Sequence, residues 1–229
     1  MLTKTPTIII LSSFSTFLPF LTCTALFKIF KYNKNLIPLY LFFTVAVIAE
    51  IIVHIYHLFG KPNVWISHLY TLVEYVLIAY ILSTWQKDDH ASRVMRLSIV
   101  VYFVIYFILK LSKFENFEAD TINYISRPIS LLFISGAVFY TFHQFWLSTP
   151  APLHKDFRFW ILIAMAIYYS SSIIIFAFMY IKAQGLLLYL IYIHAALNIL
   201  QNILFTVGII RAFGSSSHGV SQKLGFTHQ

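Results

Sequence analysis

Seven apolar runs, at residues 7–27, 36–59, 64–85, 95–112, 121–147, 159–181 and 185–210, take up most of this 229-residue chain. Each is close to the roughly 20 apolar residues with which an α-helix crosses the ~30 Å hydrocarbon core of a bilayer. In that core every backbone N–H and C=O must find its partner inside the chain, so separate runs of this length can span only as helices. The expected fold is therefore all-α: a polytopic bundle of seven transmembrane helices over residues 1–212. A short polar tail, 213–229, rich in Gly, Ser and His, is expected to be disordered. Composition agrees. Only 10% of residues are charged, against 59% hydrophobic, whereas a soluble domain carries about a quarter charged residues. A water-soluble enzyme or DNA-binding domain is excluded, and nucleic acid is no expected partner despite the net charge of +8.

The boundaries are marked by Trp65, Trp85, Trp146 and Trp160, which fall near run ends as an interfacial aromatic belt requires. Pro38, Pro62, Pro150 and Pro152 lie in or beside the gaps, while Pro19 and Pro128 fall within runs and are expected to kink them. The fourth run is the weakest, with only 97–109 free of charge, so Arg96 and Lys110 are expected to snorkel to the two interfaces. The first run is too long for the apolar segment of a signal peptide and is read as a retained helix. The single cysteine, Cys23, is read as a packing residue.

Orientation follows from basic residues. Lys28, Lys31, Lys34, Lys87, Arg93, Arg96, Lys155, Arg158, Arg211 and Lys223 fall on one side. Lys4, Lys61, Lys110, Lys113 and Lys182 fall on the other, where the gap after the fourth run also carries Glu115, Glu118 and Asp120. The richer side is expected to be cytoplasmic, with the N-terminus outside and the C-terminus inside.

Ionisable residues within spans are expensive and point to function. The second run carries Glu50, His54 and His57 at i, i+4 and i+7, on one helical face. The third carries Ser67, Tyr70, Thr71 and Glu74, with His68 near the same end but directed away from Glu74. The seventh carries His194, Asn198, Gln201 and Asn202, and the sixth a run from Tyr168 and Tyr169 to Ser172. Glu50, Glu74 and His194 each lie nine residues from the outer end of their span, roughly 13 Å down at 1.5 Å per residue. A polar His/Glu cavity in the outer half of the bundle is expected. Its ligand- or proton-binding candidates are Glu50, His54, His57, His68, Tyr70, Glu74, Arg127, His194 and Asn198.

Each candidate also has a plainer reading. Glu50 and Glu74 can act as interhelical hydrogen-bonding groups, and Asn198 with Gln201 and Asn202 likewise. The histidines His54, His57 and His68 can sit at the interface. Arg127 can snorkel to the outer surface, because 128–147 alone are long enough to span.

The stretch from Asn63 to Glu74, preceded by Glu50, resembles a group of small, uncharacterised bacterial seven-helix membrane proteins. In these an Asn-x4-His-x-Tyr-Thr-x2-Glu pattern, here Asn63, His68, Tyr70, Thr71 and Glu74, opens the third helix. The layout is also similar to the seven-helix sensor domains of histidine kinases. The resemblance implies a multi-pass protein of the bacterial inner (plasma) membrane, and implies no activity. Retinal is not expected, since 185–210 contains no lysine to form a Schiff base. Intramembrane zinc hydrolases of the ceramidase and adiponectin-receptor type place H-x-x-x-H on the last helix, where this chain has His194 followed by Asn198. Zinc is kept only as an alternative, with His54, His57, Glu74 and His194 as the ligands to consider, and no other cofactor is expected.

The leading functional expectation is a sensor-like protein that binds a small molecule or a proton. Its partners would be the lipid bilayer, the ligand and a cytoplasmic or membrane signalling protein. The alternatives are a proton-coupled small-solute transporter, a metal-dependent lipid hydrolase and a purely structural subunit.

Overall fold

The structure, a computed structural model, describes residues 7–27, 36–115, 123, 125–149, 152–180 and 186–225, with side chains described throughout except at 179–180 and 215–225. Its helices are α1 (Thr7–Ser15), α2 (Phe17–Ala25), α3 (Ile37–Leu58), α4 (Val64–Thr84), α5 (Asp89–Leu111), α6 (Ser126–Ser148), α7 (Phe157–Tyr180) and α8 (Leu187–Gly225). A 3-10 turn, Leu153–Lys155, precedes α7. Seven spans are long and apolar enough to cross a membrane, α1 and α2 together making the first. Glu118, Asp120, Pro150, Lys4, Lys28, Lys31, Lys34 and Lys182 of the sequence reading lie outside the described residues.

The prolines shape the helix starts. Pro19 is the third residue of α2 and Pro128 the third of α6. A proline there loses no hydrogen bond, because the first-turn N–H groups have no partner within the helix. Neither proline kinks a continuous span as expected. Pro19 instead follows a break at Thr16, since it has no N–H to offer the Ser15 carbonyl. Pro38 lies in the first turn of α3.

The chain turns follow local chemistry. Asp88 accepts from the backbone N–H of His90 and Ala91 at 3.0 and 3.3 Å, and this N-cap starts α5 at Asp89 rather than near residue 95. At the end of α3, Gly60 takes φ +61°. Its N–H donates to the His57 carbonyl at 3.0 Å and that of Lys61 to Tyr56 at 2.9 Å, the two bonds of a Schellman stop. Lys113, at φ 59°, serves the same place after α5 without a glycine's freedom. α8 runs on past Phe213, where a disordered tail was expected to begin, to Gly225; no proline between these residues interrupts it.

α7 packs between α6 and α8, α4 against α3, α5 and α6, and the first span against α8 and α3. The core contains Leu39, Phe43, Ile78, Tyr102, Leu131, Met165, Tyr169 and Phe205, all buried, with Cys23 buried as a free thiol. The outer faces carry exposed apolar side chains such as Leu11, Leu97, Leu132 and Ile174, a surface suited to lipid rather than water.

Candidate functional site

Small side chains open a cavity between the first span and α3, α4, α7 and α8. Ala46 and Ala49 of α3, Ser12 and Ser13 of α1 and Ala195 of α8 leave room for about 340 Å³. The α4 stripe supplies Ser67, Tyr70 and Glu74, α3 supplies Glu50, and α7 supplies Tyr168. The α8 stripe supplies His194, Asn198, Gln201 and Asn202. The break in the first span forms one wall at Thr16.

The polar groups of this cavity fall into satisfied and unsatisfied sets. Arg127 Nη1 donates to Glu74 Oε2, and the Tyr169 hydroxyl donates to Glu74 Oε1 at 2.9 Å. Arg127 lies over the Phe176 ring, 5.8 Å from its centroid. Asn198 Nδ2 donates to Ser12 Oγ and Asn202 Nδ2 to Ser15 Oγ, each at 2.9 Å, which fastens α1 along α8. The Tyr168 hydroxyl stands 3.4 Å from His194 Nε2. The other ring nitrogen, His194 Nδ1, and the amide nitrogen Gln201 Nε2 are buried with no hydrogen-bond partner among the described residues. Gln201 as a whole is 5% exposed. Glu50 is partly exposed, and His54 Nδ1 stands 3.7 Å from its Oε1.

Glu50, Tyr70, Glu74, His194 and Asn198 thus meet as the sequence suggested. His54 and His57 do not join them. Both are exposed, and His54 Nδ1 is 3.1 Å from the Glu50 carbonyl of its own helix. Their shared face turns from the cavity at Glu50 toward the outside within two turns. His68 is fully buried instead of interfacial, and its Nδ1 lies 2.7 Å from Lys110 Nζ. Lys110 accordingly does not snorkel. It is buried and donates to Glu115 Oε2 at 2.8 Å, while the Tyr106 hydroxyl donates to the His68 carbonyl at 3.0 Å.

Arg127 does not snorkel either. Asn123 is buried and donates to Thr71 Oγ1 at 2.6 Å, so the chain entering α6 is pinned beside the second turn of α4. α6 begins inside the bundle rather than at its rim, and Arg127, on its first turn, is carried to the depth of Glu74. Glu115 bridges the two helix ends, accepting from the N–H of Ile125 at 2.9 Å and of Ser126 at 3.2 Å. Burial alone would raise the Glu115 carboxyl, but its hydrogen bonds with Lys110, Ser126 and the Ile125 amide outweigh that and hold it below its ordinary value. A carboxylate at a helix N-terminus also meets the favourable end of the helix dipole. Tyr169, Lys110 and Glu115 were not among the site candidates. The signal available for the last two was only their opposite charge, five residues apart.

Fold and site together define a multi-pass, all-helical membrane protein with a polar cavity inside its bundle. No protein-family model matches the chain, and no curated protein or solved structure is detectably similar to it. The likeness to bacterial seven-helix proteins and to kinase sensor domains gains no support from these comparisons. Among the described residues, no three or more His, Cys, Asp or Glu side chains converge as a metal site would require.

Proposed function

We propose that this protein is sensor-like: it binds a small polar molecule in the cavity and relays occupancy through the first span. One observation carries the reading. Two buried nitrogens without partners, His194 Nδ1 and Gln201 Nε2, line the same 340 Å³ space as the Glu50 carboxyl. Unsatisfied polar groups in a low-dielectric interior are costly, and native structures keep few of them. A guest with an acceptor for Gln201, a hydrogen-bonding group for His194 Nδ1 and a donor for Glu50 would satisfy all three. The relay is assigned to α1 because it is a separate nine-residue helix. It lines the cavity and is held to α8 by the Ser12–Asn198 and Ser15–Asn202 contacts.

Thermal unfolding of nanodisc-reconstituted protein against a library of small polar molecules tests this. A stabilising compound whose effect disappears in Gln201→Leu supports the reading. Hits that bind Gln201→Leu and Glu50→Gln as well as the parent protein refute it. The reading extends to a C-terminus in the cytoplasm, a bacterial plasma-membrane location and a signalling partner. Reporter fusions at Lys61 and Lys155 check the first of these, and a cytoplasmic signal at Lys61 would reverse the orientation.

A second reading, proton-coupled transport, is favoured by the Tyr168–His194 contact beside the Glu74–Arg127 pair, since membrane Glu/His chains mark proton pathways. Solute uptake into vesicles under an imposed pH gradient would select it.

A further inference from the structure

Glu50 belongs to two spaces. Besides the polar cavity it lines a second, apolar groove of about 190 Å³ between the first span and α3, with Phe14, Phe17, Ile51, Ile55 and Leu58. Ser13 is the only other residue common to both. Phe14, Ile51, Ile55 and Leu58 are exposed, so in a bilayer this groove faces lipid. The polar cavity therefore has a side door at Glu50 and Ser13, and beyond that door lies a strip of surface fit for a hydrocarbon chain. The groove runs along α3 from Glu50 to Leu58, about 12 Å at 1.5 Å per residue. That is most of the roughly 15 Å depth of one leaflet's hydrocarbon.

The charges around the door restrict what passes it. Glu74 is matched by Arg127 and by the Tyr169 hydroxyl, which leaves Glu50 as the cavity's unmatched carboxyl, with His54 3.7 Å away on the groove side. An anionic headgroup at this door would face the open Glu50 carboxyl. A protonated amine would donate to Glu50 and add the missing positive charge, and the Phe42, Phe43 and Phe205 rings deeper in the cavity are compatible with a cation.

We infer that the ligand is a single-chain amphiphile with a protonated amine headgroup. It enters from the bilayer between the first span and α3 and places its head at Glu50. Its chain lies in the groove and rises toward the rim of α3 at Leu58, inverted relative to a leaflet lipid. This rests on the cavity being the binding site, and the test separates the two claims.

The probes are dodecylamine, dodecanoate and ethylamine, with binding measured by thermal stabilisation of the protein in phosphatidylcholine nanodiscs. Expected is stabilisation by dodecylamine at concentrations at least tenfold below those needed for dodecanoate or ethylamine. The effect should weaken at least tenfold in Glu50→Gln and in Ile55→Trp, which crowds the groove without touching the cavity. Ile51→Trp is the substitute should Ile55→Trp fold poorly. Equal action of dodecylamine and dodecanoate overturns the headgroup assignment. Ethylamine as potent as dodecylamine, or groove variants that bind like the parent, overturns lateral entry while leaving the cavity reading intact. Stabilisation by dodecylamine that survives both Glu50→Gln and Gln201→Leu overturns the two together.

Discussion

The Glu74–Arg127 pair makes the sharpest prediction, because the two accounts of Arg127 differ several-fold in energy. Arg127 is 6% exposed and Glu74 3%, and Tyr169 satisfies the second carboxylate oxygen. Removing one member of a buried pair strands the other charge and costs about 3–5 kcal/mol. An arginine at the interface, paired or not, would be worth about 0–1 kcal/mol. Arg127→Met should therefore lower stability by about 3–5 kcal/mol, and Glu74→Gln by a comparable amount. Tyr169→Phe removes one hydrogen bond to a charged acceptor and should cost about 1.5–3 kcal/mol. The diagnostic variant is the double one: Glu74→Leu with Arg127→Met strands neither charge and should recover most of the loss. Reversible unfolding by SDS titration in mixed micelles, followed by circular dichroism, gives all four differences. The assignment fails if Arg127→Met lies within about 1 kcal/mol of the parent, or if the double variant is no better than the worse single one.

Other substitutions test the packing and the helix links. A Cβ on Gly208 would stand 2.8 Å from Ile161 Cδ1 and 3.2 Å from the Phe157 carbonyl oxygen, so Gly208→Ala should destabilise by about 1–3 kcal/mol. Adding Ile161→Val, which removes Cδ1, should restore part of that in the same titration. Glu115 is held below its ordinary 4.5 in the folded protein, so the folded state gives up this proton more readily than the unfolded chain. Its stabilisation is complete above pH 4.5 and is lost as pH falls through the lower folded value. The stability gap between the parent and Glu115→Gln should shrink over that window, and a gap that widens on acidification contradicts the bridge. Asn198→Leu with Asn202→Leu frees α1 from α8 and should cost about 0.6 kcal/mol per lost hydrogen bond, with faster amide exchange confined to residues 7–15.

Hydropathy made the seven spans legible, because length and apolar content are what a bilayer selects for. The meeting of three polar stripes was legible too: helical rise converts residue count to distance along each span, and Glu50, Glu74 and His194 line one cavity. Three things were hidden. Helix starts depend on caps and prolines, and Asp88 and Pro128 moved two of them by several residues. A shared helical face does not keep one neighbour along its whole length; His54 shares a face with Glu50 yet lies one turn nearer the end of α3, in the groove and not the cavity. Charge partners depend on how deep a chain enters the bundle, and Asn123 drew the start of α6 inward by bonding to Thr71.

The buried carboxylate, lysine and arginine side chains among the described residues are Glu74, Lys110, Glu115 and Arg127. Hydrocarbon tolerates such groups when they are paired, and the fold does pair them: Arg127 with Glu74, Lys110 with Glu115 from the adjoining turn. Both pairs are almost fully buried, at 7% and 3% or less side-chain exposure. Glu50 breaks the pattern, at 27% side-chain exposure, with no lysine or arginine paired to it among the described residues and an exposed histidine 3.7 Å away. A fold that matches its other deep charges so closely has kept one carboxyl open, at the junction of a polar cavity and a lipid-facing groove. Stability alone would not select an unpaired carboxyl there, and the proposed amine headgroup is what would meet it.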